Sequence, residues 1–107
     1  MAYDLLIKNG TVIDGTGAPA ARGDVAVKDG RIAEIGRITD GADKVIDAAD
    51  CVVAPGFIDP HTHYDAQICW DNAITPSSWH GVTSAVLGNC GVGIAPCLPG
   101  AREIAMR

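Results

Sequence analysis

Two histidines separated by one residue, His61 and His63, directly follow an apolar run, Cys51-Val-Val-Ala-Pro-Gly-Phe-Ile-Asp59-Pro60. The run is short, rich in Val, Ile and Phe, and bounded by Asp50 and Pro60, which predicts a buried β-strand. On a strand, residues two apart point to the same side, so both imidazoles can reach one point in space. Neutral imidazole nitrogen is a preferred zinc ligand, and the pattern therefore predicts a divalent-metal site.

Two histidines are too few for a metal site, so another ligand must come from elsewhere in the chain. Cys90 is the leading candidate, because it follows a second apolar run, Val82-Thr-Ser-Ala-Val-Leu87, and lies in the turn Gly88-Asn-Cys90-Gly91. The alternative is that the histidines hydrogen-bond only to the backbone and that Cys90 is a small buried apolar residue.

The stretch between the two apolar runs contains Thr75-Pro-Ser-Ser78, which is typical of a helix start with Ser77 or Thr75 as the cap. A strand, a short helix and a strand form a βαβ unit, in which the two strands are parallel. In a parallel barrel the functional site lies at the carboxyl ends of the strands. His61, His63 and Cys90 all follow the apolar parts of their strands, so position and ligand chemistry agree.

The first 50 residues predict a small antiparallel β module without a catalytic cluster. Asn9-Gly10 lies between Leu5-Leu-Ile7 and Val12-Ile13, and Asp29-Gly30 lies between Val25-Ala-Val27 and Arg31-Ile-Ala-Glu-Ile35; both dipeptides predict tight hairpins. Val45-Ile46 predicts another short strand. Asp14-Gly-Thr-Gly17 indicates a glycine-rich turn rather than a phosphate loop, because no helix pattern follows it.

Other polar residues near the predicted site have weaker assignments. His80, beside Trp79 on the predicted helix, favours a structural or surface role. Asp59 has two readings, orientation of a histidine or a local turn, and Asp65 is a further candidate for contact with the metal. The remaining cysteines, Cys51, Cys69 and Cys97, are interpreted as small buried apolar residues in a reducing compartment.

Charge and hydropathy exclude several classes of protein. The formal net charge of −5 argues against nucleic-acid binding, which depends on clustered basic residues. The first residues lack the pattern of a signal peptide, and no stretch approaches the roughly 18 apolar residues of a membrane span. We therefore expect a soluble cytoplasmic protein.

The motifs resemble those of one enzyme family. Ala54-Pro-Gly-Phe-Ile-Asp-Pro-His-Thr-His63 resembles the metal-binding signature of the amidohydrolase superfamily. The continuations Tyr64-Asp-Ala-Gln67, Thr75-Pro-Ser-Ser-Trp-His-Gly-Val-Thr83 and Gly88-Asn-Cys-Gly-Val-Gly93 are similar to its D-aminoacylase-like branch, the N-acyl-D-amino-acid deacylases, as is the opening 3–17. In that branch a cysteine replaces the carbamylated lysine that bridges the two metal positions, and Cys90 occupies its motif position.

The resemblance implies a fold of mixed β and α/β class. Residues 1–50 would be the N-terminal part of a composite β-sandwich domain, and residues 51–107 the first βαβ unit of an incomplete (β/α)8 metal-dependent hydrolase barrel. A complete barrel needs about 250 residues, and residues 102–107 predict a helix that has barely begun. We therefore expect the chain to be the first portion of a longer enzyme.

The implied function is zinc-dependent hydrolysis of the amide bond of N-acyl-D-amino acids, with one or two divalent ions, and with metal ligands His61, His63 and Cys90. The catalytic carboxylate base is expected outside this chain, which by itself would be inactive and prone to self-association through exposed barrel strands. Two alternatives remain: a dihydroorotase- or hydantoinase-like cyclic amidohydrolase, and a non-catalytic β-rich fragment or module.

Overall fold

The computed structural model describes residues 2–90 and 98–101, and the contacts within the chain divide it into two units. The first unit is Met1–Pro55 and the second is Gly56–Arg107. The predicted helix start at 102–107 and Cys97 lie outside the described residues. Sheet dominates the first unit. Among the described residues the helices are one short α-helix and two short 3-10 turns, all in the second unit, beside two short strands.

The first unit is one mixed five-stranded sheet. Its order is β3-β2-β1-β4, and the short β5 also pairs with β1. The β1–β2 and β2–β3 pairs are antiparallel, whereas β4 and β5 run parallel to β1. The expectation of a purely antiparallel module is therefore wrong for the last two strands. The strands are β1 Tyr3–Val12, β2 Ala21–Lys28, β3 Arg31–Gly36, β4 Ala42–Asp47 and β5 Val52–Val53.

Asn9-Gly10 does not form the predicted hairpin. Strand β1 continues through it, and the register with β2 shifts between Ile7 and Gly10, as at a β-bulge. Asn9 adopts a left-handed φ of 64°, which asparagine tolerates better than most residues. The same conformational preference that favours a hairpin turn is here used for a bulge, and the chain instead reverses between β1 and β2, after residue 12.

Asp29-Gly30 forms the predicted turn between β2 and β3. Asp29 has φ of 50° and Gly30 has φ of 71°, and two successive positive φ values are typical of the two-residue hairpins that match the twist of a sheet. Lys28 pairs with Arg31 on either side of the turn. Strand β4 includes the predicted Val45-Ile46 pair.

One face of this sheet covers a small core, while the other exposes apolar side chains. Leu6, Ala26 and Ile38 form the buried cluster. On the sheet there is also an open apolar hollow of about 250 Å³, with Ile32 and Ile35, which remain 64% and 51% exposed, in its lining. An exposed apolar surface of this kind marks a place where another layer of protein can pack.

The apolar run 51–58 forms two short strands instead of one. Val52–Val53 pairs with β1, while β6, Phe57–Asp59, belongs to the second unit. Pro55 lies between them and has no N–H to donate to a sheet ladder, which accounts for the break. Cys51 is exposed, so the prediction that it is a buried apolar residue is wrong.

The second unit contains a parallel pair of strands joined by a crossover. Strand β6 pairs with β7, Val82–Ala85, through the partners Phe57↔Val82, Ile58↔Ser84 and Asp59↔Ala85. Gly56 precedes this pair, and a Cβ at that position would overlap the side chain of Thr83. The predicted parallel pairing of the two apolar runs is therefore present.

The crossover differs from the predicted single helix. The α-helix α1 is Tyr64–Gln67, directly after the histidines, and the predicted helix is a 3-10 turn, Ser77–His80. The N-cap position of this 3-10 turn is Pro76, and no side chain caps the turn, so neither Thr75 nor Ser77 acts as the predicted cap. Gly81, with φ of 87°, ends the turn because a left-handed residue cannot continue it. A second 3-10 turn lies at Pro99–Ala101.

A buried aspartate organises the first unit, and its loss should destabilise the fold. Asp24 is 7% exposed and accepts hydrogen bonds from the backbone N–H groups of Asn9 at 2.8 Å and of Ile38 at 3.1 Å. These two hydrogen bonds hold the pKa of Asp24 below its usual range, and the bond from Asn9 has the larger effect. An amide can present only one oxygen, so Asp24→Asn leaves one buried donor without an acceptor, at a cost of about 1–3 kcal/mol.

Urea unfolding near neutral pH, followed for the parent and Asp24→Asn, measures this cost. Asp43→Asn is the matched control. Asp43 is exposed on β4, and this substitution removes the same charge as Asp24→Asn. Equal unfolding midpoints for the Asp24 and Asp43 variants would contradict the assignment.

Candidate metal centre

His61, His63 and Cys90 converge at the carboxyl ends of the two parallel strands. One potential ligand atom from each side chain lies within 4.8 Å of those from the other two. The two imidazole rings have centroids 5.8 Å apart and planes at 43° to each other. Both histidines are exposed and Cys90 is partly buried. The structure therefore brings together all three residues that the sequence selected.

The reason for the convergence differs from the predicted one. Strand β6 ends at Asp59, so His61 and His63 lie in the loop between β6 and α1 rather than on a strand. The alternation of side chains along a strand does not place them. Their placement depends on the loop's own hydrogen bonds, which the pattern of two histidines does not reveal.

Hydrogen bonds join this loop to the segment that follows β7. Thr62, between the two histidines, is buried, and its hydroxyl donates to the carbonyl oxygen of Val86 at 2.7 Å. The amide of Asn89, the residue before Cys90, donates to the carbonyl oxygen of Pro60 at 2.8 Å. The Val86 N–H donates to the carbonyl oxygen of Asp59 at 2.9 Å. The two segments that carry the candidate ligands are therefore held together by three hydrogen bonds, two of which come from residues directly adjacent to the candidate ligands.

Sequence reasoning missed Thr62 and Asn89, and it left two readings for Asp59. The carboxylate of Asp59 accepts a bond from the backbone N–H of His61 at 3.1 Å, which is the local-turn reading. In the sequence, Thr62 is marked only by its place between the two histidines, and Asn89 only by its place just before Cys90. Neither place identifies the hydrogen-bond partner, because both partners are backbone carbonyls distant in sequence.

Asp65 and His80 lie outside the group of converging ligands. Asp65, the second residue of α1, has a buried Oδ2 atom without a hydrogen-bond partner among the described residues. His80 is exposed on its 3-10 turn, and Cys69 is exposed as well, contrary to its predicted burial.

A second carboxylate, Asp71, organises the crossover loop. Its Oδ2 accepts bonds from the hydroxyl and the backbone N–H of Thr75, each at 2.7 Å, and from the amide of Gln67 at 3.0 Å. Its Oδ1 accepts a bond from the Ala73 N–H at 3.0 Å. These bonds, led by the Thr75 hydroxyl and then the Gln67 amide, lower the pKa of Asp71 to about 2.

The donor set fits a zinc ion. Imidazole nitrogen and thiolate sulfur are the ligands zinc prefers, and two histidines with one cysteine leave a tetrahedral ion one open position. Ligands at about 2.0–2.3 Å from a tetrahedral ion lie roughly 3.3–3.8 Å from one another. The observed limit of 4.8 Å requires only about an ångström of closure, which exposed side chains can supply by rotation about their side-chain bonds.

The sequence profile of the amidohydrolase family matches residues 44–106 of the chain. Fold, ligand placement and this match agree, and the chain belongs to the amidohydrolase family. No helix in the described part of the chain has the length and apolarity needed to cross a membrane.

Individual relatives locate the chain within that family. It is 46% identical over 95 residues to a D-aminoacylase of Alcaligenes xylosoxydans xylosoxydans, a match that covers 88% of this chain and 20% of the relative. It superposes on an N-acyl-D-glutamate deacylase of Bordetella bronchiseptica, solved with zinc and a phosphonate mimic of the tetrahedral intermediate, with a TM-score of 0.86. That match has 42% identity and covers 98% of this chain and 23% of the other.

A D-aminoacylase structure described by its binuclear metal centre gives a TM-score of 0.83 and 46% identity, over 89% of this chain and 20% of that one. The predicted resemblance to the D-aminoacylase branch is confirmed. The chain spans about a fifth of the length of the curated relatives it matches.

The lowered pKa of Asp71 predicts a pH dependence of stability. A carboxyl whose pKa is about 2 in the folded state and about 3.9 in the unfolded state stabilises the fold fully above pH 3.9. This contribution is lost as the pH falls through 2. Thermal melts between pH 7 and pH 2 should therefore show Asp71→Asn less stable than the parent at neutral pH, with the difference shrinking in acid. A difference that stays constant over this range would contradict the assignment.

Proposed function

We propose that these residues are the first portion of a zinc-dependent amidohydrolase that hydrolyses the amide bond of N-acyl-D-amino acids. The observation that carries the proposal is the convergence of His61, His63 and Cys90 within 4.8 Å at the ends of two parallel strands. The deacylase relatives, including one solved with zinc, support both the metal and the substrate class.

Each ligand side chain has a distinct part in holding the ion. His61 and His63 would each contribute a neutral imidazole nitrogen, and Cys90 would contribute a thiolate, so binding releases the thiol proton. A zinc ion bound there would supply a polarising charge for the scissile carbonyl and for a water molecule, whose pKa it would lower to about 7. Thr62 and Asn89 keep the two ligand-bearing segments together through their bonds to Val86 and Pro60.

The general base belongs to another part of the enzyme. Proton transfer from the water to the leaving amine requires a positioned carboxylate, and the family resemblance assigns that role to a late barrel strand. We therefore assign no catalytic acid or base to this chain. The chain contributes metal ligands.

The domain arrangement is proposed on the same basis. Residues 1–50, which hold four of the five strands of the mixed sheet, would be one layer of a composite β-sandwich, which the open apolar face of the sheet supports. Residues 51–107 would begin a (β/α)8 barrel, which the parallel β6–β7 pair supports, although the short β5 still pairs with the first sheet. Phe57 and Ile58 on β6 are 65% and 71% exposed, as expected of a barrel strand without its neighbours. Isolated, such strands would promote self-association.

The alternatives are less well supported. A dihydroorotase- or hydantoinase-like enzyme should carry a bridging lysine in place of Cys90, and the relatives described above are deacylases. A non-catalytic module gives no reason for three zinc-type ligands to converge. We also propose a cytoplasmic location, since the free thiols of Cys51, Cys69 and Cys90 suit a reducing compartment.

Replacement of Cys90 should weaken zinc binding selectively. Cys90→Ser removes the thiolate, and we expect zinc affinity at neutral pH to fall about 100-fold, the upper end of the loss found when a residue that only supports a metal ligand is changed. Cys69→Ser is the matched control, because Cys69 is an exposed thiol in the same unit outside the ligand group. Isothermal titration of zinc into the three proteins measures the affinities. Equal affinity for Cys90→Ser and the parent would show that the ligands are wrongly assigned.

The 107 residues by themselves should not turn over substrate. The general base is expected outside this chain, and proton transfer by a positioned group typically contributes 10²- to 10⁴-fold to the rate. Release of free D-amino acid from several N-acetyl-D-amino acids, with zinc present, measures activity. Turnover that follows the protein through successive purification steps would show that a base is present within these residues.

A further inference from the structure

Asp65 has the one buried side-chain polar atom in the described part of the chain that lacks a hydrogen-bond partner. Its Oδ2 is shielded from solvent and accepts no hydrogen bond. A buried carboxylate oxygen without a donor or a cation is costly, so native proteins seldom retain one without a compensating role. In contrast, both carboxylate oxygens of Asp24 and of Asp71 accept at least one hydrogen bond.

The position of Asp65 relates this unpaired charge to the candidate metal centre. Asp65 is two residues after His63, at the start of α1. Its Oδ1 lies 3.9 Å from the position a Cβ on Gly88 would occupy, so one oxygen of the carboxylate lies beside the turn that carries Cys90. Its oxygens are not part of the converging group, so it is not a fourth ligand to the same ion in this geometry.

The charge of the ligand set gives the unpaired carboxylate a function. Two neutral imidazoles and one thiolate carry a total charge of −1, which leaves a divalent ion with an excess of +1. Asp59, the nearest other carboxylate in sequence, already accepts a bond from the His61 backbone. Asp65 Oδ2 has no such donor to offset the cost of its burial, so a nearby divalent ion would compensate its negative charge, an attraction that burial strengthens.

We propose that Asp65 is a positioning residue whose buried carboxylate balances the charge of a divalent ion held by His61, His63 and Cys90. This inference rests on the metal centre proposed above. In the metal-free chain the carboxylate is destabilising, and the bound ion compensates it. The negative charge of Asp65 therefore lowers the stability of the metal-free chain but raises its affinity for the metal ion.

Substitution of Asp65 should move the two quantities in opposite directions. Asp65→Asn keeps the shape and removes the charge, so the metal-free chain should melt at the same or a higher temperature, while zinc affinity falls about tenfold. Asp65→Glu keeps the charge and should retain more affinity than Asp65→Asn. Asp71→Asn is the matched control, because it removes an equivalent charge from a fully bonded carboxylate. It should lower the melting temperature and leave zinc affinity within twofold of the parent.

Three measurements test the proposal on the parent and the three variants: thermal melts without metal, zinc titration by calorimetry, and cobalt(II) absorption. The thiolate-to-cobalt band should persist in Asp65→Asn, because the ligands are unchanged. Zinc affinity equal to that of the parent, or a metal-free Asp65→Asn chain that is less stable or unfolded, would overturn the proposal. A parent chain that binds no zinc, or whose cobalt form lacks the thiolate band, would instead overturn the metal centre itself.

Discussion

The parallel pairing of β6 with β7 is the constraint on which the rest of the second unit depends. Parallel strands point their carboxyl ends to the same edge of a sheet, so the segments that follow them begin side by side. Asp59, the last residue of β6, accepts a backbone hydrogen bond of 2.9 Å from Val86, the first residue after β7. From that point only a few residues lead to His61 and His63 on one side and to Cys90 on the other. The pairing thus makes neighbours of residues nearly 30 positions apart.

The sequence selected three residues that the structure brings together, but it did not predict the local structure that positions them. Residue chemistry selects His61, His63 and Cys90, since few other side chains can ligate zinc. The hydrogen bonds of Thr62 and Asn89 could not be predicted, because their acceptors are backbone carbonyls whose location depends on the fold. The predicted strand 51–58 failed for a related reason: apolar composition indicates burial, but Pro55 and strand pairing decide where each ladder ends.

Turn dipeptides show the same limit of local information. Asn9-Gly10 and Asp29-Gly30 both adopt positive φ at their first residue, as their sequences predict. Only the second reverses the chain. At Asn9 the backbone N–H bonds to the side chain of Asp24 within the sheet, and the strand continues. Local preference therefore predicts the backbone conformation at both places, while the long-range partner determines whether it becomes a turn or a bulge.

The three candidate ligands lie in loops, and the strands end before them. The sheet ladder supplies the proximity, whereas the spacing and direction of the donor atoms are set by a few loop residues. Substitutions in those loops can change which ion is preferred, or how tightly it is held, without altering any strand-to-strand hydrogen bond. For lineages that share this scaffold, metal chemistry and folding can thus diversify along largely separate mutational routes.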